Sequence, residues 1–373
     1  MRRTLALLWA GSFAFFGSFY LLLSALPLYA RQVGVSDRAL GLVIGAFALA
    51  SMVVKPWAGW ACDRVGRKPV LLAGAAVFLA APLGYAASAS AGALLAVRLL
   101  HGAGMGLFPT AASAVVADVA PPARRGEYLG FVGAAANLAM AAGPISGMAV
   151  VERRGFGALF AAAALAATVA LAVSGAVPET LRERRPLPLR VDTALARAAL
   201  FPSAIVLLLM VTYGAQVSFL PIFAHERAMN PGLFFLVFAL VVAAVRGRAG
   251  RLSDRHGRAP VAAVGLALAA AALGALALSR SAAGLVVAGA LYGVGFGAAQ
   301  PALMAWCVDR VAPGDRGRAM GTYYTALELG IAGGAMAAGL AVSAVGFAAT
   351  FLAVAATAAA GALLALAPEG RSR

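Results

Sequence analysis

Gly59-Trp60-Ala61-Cys62-Asp63-Arg64-Val65-Gly66-Arg67-Lys68-Pro69 returns 191 residues later as Gly250-Arg251-Leu252-Ser253-Asp254-Arg255-His256-Gly257-Arg258-Ala259-Pro260. The shared pattern is Gly-x-x-x-Asp-Arg-x-Gly-Arg-x-Pro. The same displacement carries Gly102, Gly104 and Gly106 onto Gly293, Gly295 and Gly297, and Asp118 onto Asp309. It also carries Pro122 onto Pro313, Arg125-Gly126 onto Arg316-Gly317, and Gly130 and Gly143 onto Gly321 and Gly334. A register that holds this far without an insertion marks an internal duplication.

What is duplicated follows from the flanking residues. The chain has 373 residues, 62% hydrophobic and 12% charged, against roughly 45–50% apolar and about 25% charged in soluble domains. Lipid must solvate most of this surface. A helix crosses the hydrocarbon core with about 20 apolar residues. Such runs lie near 5–29, 39–59, 69–88, 91–117, 128–150 and 156–177, then near 202–223, 232–249, 260–279, 283–308, 320–343 and 346–367. The expected fold is an all-α membrane protein of twelve transmembrane helices in two pseudo-symmetric six-helix bundles. The bundles span 1–178 and 201–373, joined by a cytoplasmic linker, 179–200. Like bundles related by an axis along the membrane normal would hold a site between them near the midplane. The apolar run after Met1-Arg2-Arg3 exceeds a signal-peptide core and reads as a retained first span.

The formal net charge of +16 does not mark a nucleic-acid binder, because the arginines sit in short clusters between apolar runs. With both termini inside, cytoplasmic segments hold 22 Lys and Arg and the outer loops hold six, a positive-inside bias. The outer six are Arg31, Arg38, Arg153, Arg154, Arg227 and Arg280; Lys55 and Arg98 lie within spans. Arg246 is expected to snorkel from the end of the eighth span. Cys62 and Cys307 form no disulfide framework and read as small buried hydrophobes. No phosphate-cradling Gly-Lys-Ser/Thr loop is present, and His101, His225 and His256 lack metal-ligand spacing. No enzyme activity, cofactor or metal is expected.

In the repeated segment, glycines permit a tight turn and close helix approach. Asp63 is placed to accept from backbone donors at a neighbouring helix N-terminus. Arg67 is expected to reach Asp118, with Arg258 and Asp309 as the second pair. Arg98-Leu-Leu-His101-Gly102-Ala-Gly104 puts a cation inside a span, where charge is costly and functional by default; the repeat-equivalent position is Gly289. His101 is a group that can titrate near neutrality, or a hydrogen-bonded packing residue. Small residues at Gly130, Ala139, Gly143 and Gly147 let helices approach, and Pro144 supplies a kink. Glu328 is the one carboxylate deep inside an apolar run; counted from Arg318 it lies about 15 Å deep, and the repeat pairs it with Asn137. Tyr20, Tyr213, Gln216 and Gln300 are the other polar side chains expected to face a cavity.

On these residues the chain resembles the major facilitator superfamily. The segment from Gly59 to Lys68, with Gly59, Asp63, Arg64, Gly66 and Arg67, resembles the family's loop between helices 2 and 3, with Ala61 and Cys62 where Leu and Ala are frequent. Arg98 to Gly104 resembles its helix 4 motif, His101 standing at the Gln position. Gly130 to Gly147 resembles the helix 5 motif of its antiporters, with Ala139 and Met148 replacing glycines. The resemblance implies that Asp63, Arg67 and Asp118, with Asp254, Arg258 and Asp309, latch the outward-facing shape. It implies a secondary active transporter working by alternating access, chiefly one exporting a small organic solute in exchange for protons. Alternatives are proton-coupled uptake or facilitated transport of a small metabolite, anionic because of Arg98, and, in another class, a non-transporting membrane sensor or scaffold. Helix 1 carries no acidic residue where many proton-driven exporters keep one. The expected partners are solute, protons and the bilayer of the inner membrane, with the protein acting as a monomer.

The charge asymmetry makes a direct test. Reporter fusions at residue 190 and at the C-terminus are expected to read cytoplasmic, and an external reading from either overturns the orientation.

Overall fold

The computed structural model describes residues 1–121, 124–181, 196–312 and 315–367. Arg182, Arg184, Arg185 and Arg190 of the linker, and Pro122 and Pro313 of the repeat, lie outside the described residues.

Helices fill the described chain because lipid leaves backbone N–H and C=O groups no partner but each other. They are α1 Arg2–Leu23, α2 Leu26–Gln32, α3 Asp37–Arg64, α4 Arg67–Ala87, α5 Ala91–Val119 and α6 Arg125–Gly175. There follow α7 Leu200–His225, α8 Gly232–His256, α9 Arg258–Ala277, α10 Ala282–Asp309 and α11 Arg316–Leu366. Ten among the described residues are long and apolar enough to cross a membrane. The sequence suggests twelve runs, and the difference lies in α6 and α11. Each has 51 residues, about 75 Å at 1.5 Å per residue, which is two crossings. Each breaks at one glycine with non-helical backbone, Gly155 (φ 78°, ψ 179°) and Gly346 (φ 77°, ψ 175°). These positions are themselves 191 residues apart.

The chain divides into two compact units, Met1–Val191 with Asn230–Gly232, and Asp192–Met229 with Leu233–Arg373. In the first unit α1 packs on α6, α3 on α5, and α4 on both α5 and α6. In the second α7 packs on α11, and α9 on α10 and α11. Local signals repeat as well. Ser90 caps α5 by accepting from the Ala93 N–H at 3.2 Å, and Ser281 caps α10 by accepting from the Gly284 N–H at 3.3 Å.

Aromatic stacking builds the middle of the first unit. Phe15 of α1 lies 3.8 Å from Phe78 of α4 and 4.1 Å from Phe108 of α5, centroid to centroid. Small residues set the helix spacing where no hydrophobic force between helices operates in lipid. A Cβ at Gly102 of α5 would strike the carbonyl oxygen of Phe47 on α3. Gly143 and Gly147 of α6 lie against Tyr20 and Leu21 of α1 in the same way. Gly130 and Gly59 differ from the expectation: nothing lies within 4 Å of a Cβ at either, so neither supports a close approach.

Gly102→Leu is therefore expected to wedge α5 from α3 and to cost about 1–3 kcal/mol or more, read as a lowered Tm of the purified protein. Gly59→Ala should leave Tm unchanged. Equal effects would remove the packing explanation.

Candidate functional site

Two groups of polar side chains stand out in the first unit, one where α3 turns into α4 and one inside the helix bundle. At the first, Gly66 (φ +135°) makes the turn between α3 and α4. Residues Gly59 to Arg64, read as loop from the sequence, are the last turns of α3, and Cys62 is buried there. Arg67 Nη1 donates to Asp63 Oδ1, and Arg67 Nε donates to Asp118 Oδ2 at 3.1 Å. The second unit repeats this: Arg258 Nε donates to Asp309 Oδ2 at 2.8 Å, and Nη1 to Asp254.

Two details correct the expectation. Asp63 does not hold the helix N-terminus; Glu179 does. Its Oε1 accepts from the Arg67 N–H at 3.0 Å and its Oε2 from the Lys68 N–H at 3.1 Å. Arg64 stands apart from the ion pairs, with its guanidinium 5.3 Å from the Trp60 ring centroid. Thr180 joins the network by donating from Oγ1 to Asp118 Oδ2 at 2.7 Å. A Cβ on Gly66 would strike Glu179 Oε2, so this glycine serves both the turn and the carboxylate. Glu179 and Thr180 fall in a stretch read as linker, and only the carboxylate after Pro178 hints at a role. Partial burial raises the Glu179 carboxyl, but the N–H groups of Leu181, Arg67, Lys68 and Thr180 more than offset this and hold it below the usual carboxylate range.

Inside the bundle, Arg98 and His101 of α5 are both buried, at 6% and 0% exposure. Arg98 donates to the carbonyls of Val43 and Ile44 at 3.4 Å each, and its guanidinium lies 4.5 Å from the Phe47 ring centroid. His101 Nδ1 lies 3.0 Å from the Tyr85 hydroxyl oxygen. Tyr85 of α4 was not singled out from the sequence; an aromatic in an apolar run carries no signal for a polar partner across 16 residues.

The other candidates fall in separate places. In the second unit Arg246 Nη2 donates to Gln300 Oε1, which links α8 to α10 where a snorkelling arginine was expected. Gln216 of α7 is buried, with Nε2 lacking a hydrogen-bond partner. Tyr213 stands among Phe238 and Phe296, at 6.3 and 5.7 Å. Glu328 of α11 is buried at 8% exposure. In the first unit Tyr20 contacts Phe16 and Phe19, and Asn137 is half-buried in α6. Among the described residues no group of three His, Cys, Asp or Glu side chains is placed to hold a metal.

The family model of the Major Facilitator Superfamily matches residues 8–248 and 230–372. The chain belongs to this superfamily. It is thus a multi-pass membrane protein of a transporter family. The quinolone resistance protein NorA of Staphylococcus aureus (strain MRSA252) is 28% identical over 156 residues, 41% of this chain and 40% of that one. An uncharacterized MFS-type transporter, Rv1250 of Mycobacterium tuberculosis, is 34% identical over 134 residues, 36% of this chain and 23% of that one. These matches span two-fifths or less of the curated relatives. Among solved structures, the human organic anion transporter MFSD10 (TETRAN) superposes with TM-score 0.69 at 23% identity, covering 98% of this chain and 99% of that one. A POT family transporter superposes with TM-score 0.82 at 15% identity, covering 97% and 95%. At these identities the superpositions speak for the fold.

Replacing Glu179 by Ala should cost about 1 kcal/mol, the usual scale of a lost helix cap, seen as a lower Tm. Because the folded carboxyl sits below its ordinary value, its contribution is complete above the unfolded pKa of about 4.3. It is lost as pH falls through the lower folded value. The Tm difference between wild type and Glu179→Ala should therefore close in acid; a difference independent of pH would mean packing, not the carboxylate, carries it.

Proposed function

We propose that this transporter exports a small organic solute across the inner membrane in exchange for protons, with Glu328 as the proton-carrying residue. Both termini and the linker face the cytoplasm, and the two six-helix halves, 1–178 and 201–373, alternate access between the two sides as a monomer. The observation that carries the reading is the burial of Glu328 within an apolar helix. A charged carboxylate at the bilayer centre costs at least about 2.5–3.5 kcal/mol. An ionisable residue at that depth marks a proton or substrate path. The partial likeness to NorA, a quinolone resistance protein, supports the outward direction. Asp63, Arg67 and Asp118, with Asp254, Arg258 and Asp309, serve as the latch of one conformation.

A second reading has one observation behind it. Arg98 is buried, and among the described residues no carboxylate pairs with it, which favours an anionic solute, moved in either direction. MFSD10, of like fold, is an organic anion transporter.

The repeat-equivalent of Glu328 is the amide Asn137, so the fold accepts an uncharged group there. Glu328→Gln is expected to express and fold normally and to abolish uphill transport driven by a pH gradient in proteoliposomes. Exchange of solute without a gradient should survive. Gradient-driven transport at the wild-type rate in this variant would remove Glu328 from the coupling.

A further inference from the structure

Residues 98 and 101 are one helical turn apart, so their side chains share a face of α5. Among the described residues neither is paired with a carboxylate. The guanidinium of Arg98 has two long bonds to backbone carbonyls and an aromatic face. His101 is fully enclosed by Phe19, Phe47, Phe78 and Tyr85, and its Nε2 has no hydrogen-bond partner.

The donor inventory fixes the tautomer. Among the described side chains the Tyr85 hydroxyl has one hydrogen-bond neighbour, His101. The tyrosine's single proton then goes to the acceptor beside it, His101 Nδ1, 3.0 Å away. The histidine proton resides on Nε2. The reverse tautomer would strand the tyrosine proton and leave Nε2 as an unmet acceptor besides. The titratable groups facing His101 are Arg98 on its own helix and Tyr85 on α4, while α1 and α3 face it with Phe19 and Phe47.

The repeat supplies a control. Tyr292 of α10 stands 191 residues after His101 and is also caged, by Phe234, Phe238 and Phe296. Its hydroxyl is satisfied: Thr212 Oγ1 donates to the Leu209 carbonyl at 2.6 Å and accepts from Tyr292 at 2.7 Å. The position equivalent to Thr212 in the first half is Leu21. The second half satisfies this polar position from its first helix, and the first half leaves His101 Nε2 without a hydrogen-bond partner.

We propose that Arg98 and His101 form a seat for the carboxylate of the transported solute, the histidine acting as a neutral Nε2–H donor and not as a proton carrier. A carboxylate answers both demands, one oxygen for the cation and one for the N–H. Phe47 is the lid. Its ring lies 4.5 Å from the guanidinium and 5.2 Å from the imidazole, centroid to centroid for the latter. Phe47 in turn stacks on Phe19 of α1 at 5.0 Å, so separating α3 and α1 uncovers both donors. This inference rests on the transporter reading and assigns its substrate class.

The test uses the purified full-length protein with nitrogen-15-labelled histidine, benzoate as probe, and benzamide and benzylamine as controls. The chain has three histidines, and His101→Gln assigns the signal. His101 is expected as the Nε2–H tautomer. Benzoate should shift it, benzamide should bind about tenfold more weakly, the scale of one charge-assisted hydrogen bond, and benzylamine should leave it unmoved. Arg98→Lys should weaken benzoate about as much, and Phe47→Ala should strengthen it. The Nδ1–H tautomer, equal shifts by benzoate and benzamide, or no shift with benzoate would each overturn the seat. Vesicles that move benzylamine against a pH gradient and ignore benzoate would leave the transporter reading standing without the seat. Benzoate bound at His101 in a protein that moves no solute would do the reverse.

Discussion

In hydrocarbon a polar group has no water to fall back on, and that constraint orders this structure from backbone to site. It makes the spans helices, and in α6 and α11 one glycine each, Gly155 and Gly346, separates two crossings. It also removes the hydrophobic attraction between helices, leaving close packing to hold them. Gly102 against the Phe47 carbonyl and Gly147 against Leu21 are the result. These contacts fix α5 and α6 at distances where a polar side chain has few choices of partner. The buried polar groups are consequently sorted sharply into satisfied and unsatisfied ones.

That sorting separates scaffold from candidate machinery. The ion pairs of Arg67 and Arg258 occur in both halves with the same partners. Exposed pairs of this kind contribute about 0–1 kcal/mol each. A few such bonds break at small cost, whereas a buried network of the same size would not. Glu179 adds to the first half a helix cap that reaches from the end of α6 to the start of α4. It ties three helices of one unit through Arg67, Asp118 and Thr180, so the motion it restrains is that of the unit's own helix ends.

Much of the fold was legible because hydropathy and a constant displacement of 191 residues are long-range signals that single substitutions do not erase. Arg67 with Asp118, and Arg258 with Asp309, were likewise readable from opposite charges at repeated positions. The misreadings are local. Gly59 looks like a packing glycine and faces open space, because small residues are common in membrane helices whatever they touch. Asp63 was assigned the helix N-terminus, yet Glu179 reaches it across 112 residues, a distance at which sequence carries no pairing signal. Tyr85 was invisible for the same reason. Its chemistry appears only when α4 and α5 bring its hydroxyl to His101.

The positions where the two halves disagree carry the most functional information. Duplication copies whatever the fold needs, so a residue absent from one copy is not required by the bundle itself. Arg98 faces Gly289 in the register, His101 faces Tyr292, Leu21 faces Thr212, and Glu328 faces Asn137. The first three differences fall together: the first half lacks the hydroxyl of Thr212 and gains a buried cation at Arg98 beside the caged ring. The fourth places a buried carboxylate in the other half. A solute shifts a conformational equilibrium only by its differential affinity for the two states. Two identical halves binding it identically would offer less to discriminate with. Divergence at a few caged polar positions, on a scaffold kept symmetric by glycines and ion pairs, supplies that difference without disturbing the parts that must move alike.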